Sequence, residues 1–146
     1  MPDEHKELLV DGRYTREEFE QIRLGFIPHT TEDKWFLYFD GEWLHFHRSQ
    51  TGTCIFQLQI LAAEEAFLTE RAIVNRDPAQ YRVTDDEYDV ELMSYLVDHL
   101  LLGRFVPFPT PARLAEDDHA RHRQHVMGRP PGGNGINLRV LKNGKQ

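Results

Sequence analysis

A single cysteine, Cys54, leaves the chain without any internal disulfide, so its stability has to come from a hydrophobic core rather than covalent staples. Long apolar runs are missing too: none approaches the roughly 18–20 residues of a membrane-spanning helix, and the acidic start from Met1 to Glu7 does not resemble a signal peptide. Basic residues are scarce, 17 Lys and Arg against 24 Asp and Glu, and the net charge of -7 repels a phosphate backbone unless the bases cluster on one face. These lacks point to a soluble, cytoplasmic protein with neither nucleic acid nor membrane among its partners. Internal repeats, low-complexity blocks, a P-loop and a dinucleotide fingerprint are also missing.

What is present suits one globular unit. With 146 residues, 40% of them apolar and 28% charged, the chain is long enough for a core of its own. The expected organisation is one α+β domain over residues 1–127, followed by a Gly/Pro-rich arm over 128–146. Thr15 and Glu18 form a capping-box pattern that starts a short helix carrying Phe19, Ile22 and Phe26, which Gly25 and Pro28 end. From Lys34 the apolar period changes to two, and Asp40-Gly41 reads as a type I′ hairpin turn. That turn pairs Tyr38 with Trp43, Leu37 with Leu44 and Phe36 with His45. One face then carries Trp35, Leu37, Phe39, Leu44 and Phe46, and the other Phe36, Tyr38, Trp43, His45 and His47.

A third strand follows from about Thr53 to Ile60. Its faces depend on whether the preceding loop holds a bulge. The bulged register is preferred, because it brings Cys54, Phe56, Leu58 and Ile60 beside Leu44 and Phe46. Phe67 to Val74 suits a fourth strand or a helix beginning at Ala62. Val83, Thr84, Glu87 and Tyr88 repeat the staple, cap and box pattern of the first helix, and from Asp85 a wide apolar helical stripe follows, Tyr88, Leu92, Met93, Leu96, Val97, Leu100 and Leu101, that Gly103 stops. The expected fold class is therefore α+β: an antiparallel β-meander of three or four strands packed against a long amphipathic helix, with short flanking helices. A polar helix from Pro111 to about Met127 and an edge strand from Asn137 to Leu141 complete the reading.

The residues with chemistry concentrate between Trp43 and Cys54. His45 and His47, two apart on a strand, project to one face and suit proton transfer or orientation of a substrate. Two imidazoles alone do not make a metal site, and with no third ligand at short spacing neither a metal nor another cofactor is expected. Arg48, Ser49, Thr51 and the flexible Gly52 supply a guanidinium, two hydroxyls and exposed amides suited to a phosphate, and Trp43 offers a ring on which a base stacks. Cys54 is a buried small hydrophobe in the bulged register and opposes His47 in the unbulged one. Glu116, His119 and His122 have helical metal-ligand spacing, although a solvated helix with alternating charge has the same pattern.

The run Lys34-Trp35-Phe36, then Trp43-Leu44-His45-Phe46-His47-Arg48-Ser49, then Thr51-Gly52-Thr53-Cys54, resembles a small bacterial family with a K-W-F…W-L-x-F-H-R-S-x-T-G-x-C core. That family is associated with ADP-ribosylation and crystallin J1. Gln50 stands where the family has a tryptophan, and the acidic metal-binding motifs of an ADP-ribosyl hydrolase are not recognisable. The resemblance implies an ADP-ribose-related ligand without that hydrolase activity, and it places Phe46, His47, Arg48, Ser49, Thr51, Gly52 and Cys54 in one motif. The expected function is binding or processing of a small phosphate-bearing, nucleotide-like molecule. The alternative is a protein–protein interaction module, with a homodimer formed through the aromatic sheet face.

Overall fold

Alternation of buried and exposed positions shapes the N-terminal strand. In the computed structural model, which describes residues 1–105, 108–109 and 138–140, β1 (His5–Tyr14) buries Leu8, Val10, Gly12 and Tyr14 and exposes Leu9, Asp11 and Arg13 between them. Thr15 caps α1 (Arg16–Ile22), and the capping box with Glu18 is complete in both directions. Then come β2 (Trp35–Asp40), β3 (Trp43–Arg48), β4 (Cys54–Gln59), the two-residue β5 (Leu61–Ala62) and β6 (Phe67–Asn75). Asp85, one residue after the expected Thr84, caps α2 (Asp86–Leu96) by accepting the Tyr88 N–H, and α2 runs into a π-helical turn over Val97–Leu101, where the Leu102 N–H bonds the Val97 carbonyl at 3.0 Å. Finally β7 (Leu138–Val140) pairs with the free edge of β1, so the expected C-terminal strand is found on this chain's own sheet.

The strands form one antiparallel sheet in the order β2-β3-β4-β6-β1-β7, with β5 pairing to β6. This corrects the expected fold. The sheet is not a meander of three or four strands, because β1 lies between β6 and β7 and separates chain neighbours. Nor is it packed on a long helix: α2 has 11 residues and the π turn adds 5. The overlooked element is β1, whose signal is weakened by Gly12 in the third inward position. The helix alternative at Ala62 is not adopted, since Phe67–Asn75 is an inner strand bonded on both sides.

Both helices lie on one face of the sheet. Phe19 of α1 meets Phe39 edge-on at 5.1 Å and stacks on Phe67 at 4.0 Å, while Tyr88, Leu92, Tyr95 and Leu96 of α2 join Trp35, Leu37, Leu44, Phe46 and Phe56 in one core. Full burial of side chains of this size contributes roughly 1.5–3 kcal/mol each, which makes this layer the main source of stability. No helix among the described residues is long and apolar enough to cross a membrane.

The hairpin register differs from expectation by one residue on each strand. Asp40 pairs with Trp43, Tyr38 with His45, Phe36 with His47 and Trp35 with Arg48. Gly41 is the residue at positive φ (66°), and among the described residues no non-glycine residue shares that region, so the turn follows the II′ pattern with glycine first rather than I′. Moving each strand by one leaves odd β2 residues opposite even β3 residues, and the two faces survive unchanged. The Pro111–Met127 helix, His119, His122, the domain boundary at 127 and the arm apart from Leu138–Val140 lie outside the described residues.

Candidate functional site

Sheet parity separates the candidate residues into two groups on opposite faces. Arg48, even-numbered like Leu44 and Phe46, turns toward the helices, whereas Trp43, His45 and His47 turn away from them. The expected combination of catalytic histidines with an Arg48 anion site therefore does not assemble at one place.

On the helical side, a cavity of about 510 Å³ opens between the Arg48 end of β3, the 80–83 loop and the first turns of α2. Trp35, Tyr81 and Tyr88 supply aromatic walls, and Lys34, Arg48 and Arg82 supply positive charge, with Gln50, Thr51 and Gln80 as polar neighbours. No carboxylate is among the described lining residues, although the chain as a whole is acidic. The Arg48 guanidinium carbon sits 5.0 Å from the Trp35 ring centre, a cation–π arrangement created by the observed pairing of these two residues. Burial lowers the Arg48 pKa, partly offset by Tyr81 and Tyr88, yet a guanidinium starts so far above neutrality that it stays charged.

Residues that the sequence did not single out hold the 80–83 wall. Buried Asn75 donates from Nδ2 to the Cys54 carbonyl (2.9 Å) and to Gln80 Oε1 (2.8 Å), and its Oδ1 accepts from the Asp77 N–H (2.9 Å). The Tyr81 hydroxyl donates to Asp89 Oδ1 at 2.5 Å. Arg76 Nη2 donates to Asp86 Oδ1 at 2.6 Å and lies 2.6 Å from Asp89 Oδ2, a charge contact off the hydrogen-bond direction. Burial raises the Asp89 carboxyl to about 6, against the opposing pull of Tyr81 and Arg76. The signal available in sequence was Tyr81 and Tyr88 flanking the cap Asp85. No local period links them to Arg48.

Of the other expected ligand residues, Thr51 lines the cavity, while Ser49 has a structural task, its hydroxyl donating to the Asp33 carbonyl at 2.6 Å. Gly52, at φ 75°, closes the β3–β4 loop through its N–H to the Arg48 carbonyl at 2.8 Å.

The opposite face is aromatic and polar. Tyr38 stacks on His45 at 4.6 Å and on His47 at 5.6 Å, and Phe36 stacks on Tyr38. Here the β3–β4 pairing corrects both registers read from sequence. His47 opposes Cys54, and a shift then places Phe46 opposite Phe56 and Leu44 opposite Leu58. The extra residue is Ile55, inside the strand and not in the loop. Cys54 therefore joins the histidines, while Phe56 and Leu58 join the core as expected.

The chain matches no family model, no curated protein and no solved structure.

Proposed function

We propose that the protein binds a small phosphate-bearing, nucleotide-like molecule, ADP-ribose-related compounds included, in the cavity beside α2. The observation that carries this reading is the composition of the cavity: Lys34, Arg48 and Arg82 gathered around the Trp35, Tyr81 and Tyr88 rings without a lining carboxylate. Cations hold a phosphate, and the rings stack against or enclose a planar body. Both Arg48 and Thr51 belong to the motif that suggested such a ligand. His45 and His47 do not serve this cavity, so the reading is one of binding, with no acid–base step assigned to them.

Thermal shift tests it. A ligand at about a hundredfold its Kd stabilises a protein by roughly 2.7 kcal/mol, which raises the midpoint by several degrees in a chain of this size. ADP-ribose, ADP and AMP are expected to shift the melt, nucleosides much less, and the shift should shrink as salt screens the phosphate. Arg48→Ala should remove the response. Because Arg48 also packs on Trp35, exposed Arg82→Ala serves as a second variant that weakens binding with little change in the unliganded melt. No shift with any phosphate compound, or an undiminished shift in both variants, refutes the proposal.

A second reading draws on the helix-free face, where Phe36, Tyr38 and Trp43 form a partly exposed aromatic patch, Tyr38 being 38% exposed. Such a patch suits a homodimer. Light scattering that finds a dimer in wild type and a folded monomer in Trp43→Glu favours it, and a monomeric wild type rejects it.

A further inference from the structure

The bulge at Ile55 brings three metal-ligating side chains together on the face away from the cavity. One ring nitrogen each of His45 and His47, and the Cys54 Sγ, all lie within 4.8 Å of one another. We propose that His45, His47 and Cys54 form a site for a zinc-class divalent metal ion, with three protein ligands and one position open to solvent. Two imidazoles and a thiolate prefer zinc, cobalt or copper to magnesium or calcium, which favour oxygen. Ligand atoms around tetrahedral zinc lie roughly 3.5 Å apart, so side-chain rotations closing the trio by about 1 Å complete the geometry.

The surroundings resemble the support that metal-binding histidines need. His47 donates its Nδ1–H to the Gly52 carbonyl at 2.9 Å, which fixes the tautomer and leaves the lone pair on Nε2. Gln57 Nε2 donates to His45 Nδ1 at 3.1 Å, and His45 Nε2, buried without a hydrogen-bond partner among the described residues, lies 4.0 Å from Asp40 Oδ2; turning the Gln57 amide over puts its oxygen on an Nδ1–H and leaves the Nε2 lone pair for the metal. Asn75 anchors the backbone of Cys54 through its carbonyl. The Cys54 S–H donates to the Phe56 carbonyl at 3.6 Å. Metal binding therefore exchanges that S–H bond for a metal–sulfur bond and releases the proton to solvent.

The site is independent of the cavity, and its test does not use nucleotides. Full-length protein stripped with a chelator is titrated with Co2+ and Zn2+. Three other histidines, His119, His122 and His125, are removed as alternatives in a background of H119Q, H122Q and H125Q. The expected result, in wild type and in that background, is one equivalent of Co2+ with a thiolate-to-metal charge-transfer band and the visible intensity of a tetrahedral centre. Cys54→Ser should lose the band, and His47→Gln should weaken binding by roughly a hundredfold, as expected for loss of a ligand from a three-residue set. Without any variant, Zn2+ should slow the reaction of Cys54 with a disulfide reagent at least tenfold, because the metal holds the thiolate. Binding that disappears in the H119Q, H122Q and H125Q background, cobalt without a thiolate band, or unchanged Cys54 reactivity at saturating zinc overturns the proposal.

Discussion

Replacing Gly25 with alanine tests how α1 is tied to the hairpin. Gly25 has φ 72°, and a Cβ there would sit 2.4 Å from the Leu37 carbonyl oxygen and 3.3 Å from the Tyr38 Cα. That oxygen accepts the Phe26 N–H at 2.8 Å, and the Leu37 N–H returns to the Phe26 carbonyl at 2.9 Å, so one bridge covers the outer edge of β2. The left-handed conformation costs an alanine about 1–2 kcal/mol, and prising apart the bridge weakens two backbone hydrogen bonds of about 0.5–1.5 kcal/mol each. The sum is about 3 kcal/mol, a large share of the stability of a domain yet short of unfolding it. Gly41→Ala is the matched control: its φ is 66°, but nothing lies within 4 Å of the added carbon, so only the conformational penalty of about 1–2 kcal/mol applies. Urea unfolding should give a lower midpoint for Gly25→Ala than for Gly41→Ala at equal m values. Equal losses would mean that the Phe26–Leu37 bridge yields without cost, and the docking argument would fail.

Asp98 is buried in the π-helical turn, and its carboxyl rises to about 6 through desolvation, with Arg104 opposing and Glu18 adding to the rise. The folded state then keeps a proton that the unfolded state releases above its ordinary value near 3.8, so this group's stabilisation is complete below that value and is lost as pH rises through about 6. Asp98→Asn should gain on the order of 1–2 kcal/mol over wild type at pH 7 after allowance for screening, and the gain should fade toward pH 4; a pH-independent difference in urea midpoints refutes this. Tyr81→Phe leaves buried Asp89 Oδ1 without its donor and should cost about 1–3 kcal/mol, more at pH 8 than at pH 5 because the lost bond lowers the Asp89 pKa. Asn75→Ala removes three hydrogen bonds at once, with a cost of about 2 kcal/mol or more and a faster Cys54 reaction with a disulfide reagent; unchanged thiol reactivity would detach Asn75 from that site.

Local rules made the hairpin faces and the α1 cap legible, since period two and the Thr15–Glu18 box involve only near neighbours. The register was less legible, because Asp40-Gly41 and Gly41-Glu42 are both acceptable two-residue turns, and bonding across the ladder decides between them. β1 carried a usable pattern in Leu8, Val10 and Tyr14. Its place between β6 and β7 had no local signature, because it depends on contacts with strands far away in the chain. The cavity was half legible. Arg48 and Thr51 were the right kinds of residue, and parity with Leu44 and Phe46 already put Arg48 on the core side of β3, away from His45 and His47. Tyr81, Arg82 and Tyr88 meet it only because β6 returns the chain beside β4.

Ile55 shows why neither register read from sequence was sufficient. A uniform strand offers two arrangements: Cys54, Phe56 and Leu58 all on the core face, or all outside it. The first leaves the histidines without a thiol, and the second exposes two large apolar side chains that stabilise the core by burial. A bulge within the strand removes the conflict, since residues before and after it obey opposite parity. Cys54 then faces His47, Phe56 and Leu58 pack against Phe46 and Leu44, and the side chain of Ile55 itself is buried at the cavity wall. One inserted residue therefore shapes both candidate sites: it supplies an apolar wall to the cation-lined cavity on one face and a third ligand to the histidine pair on the other.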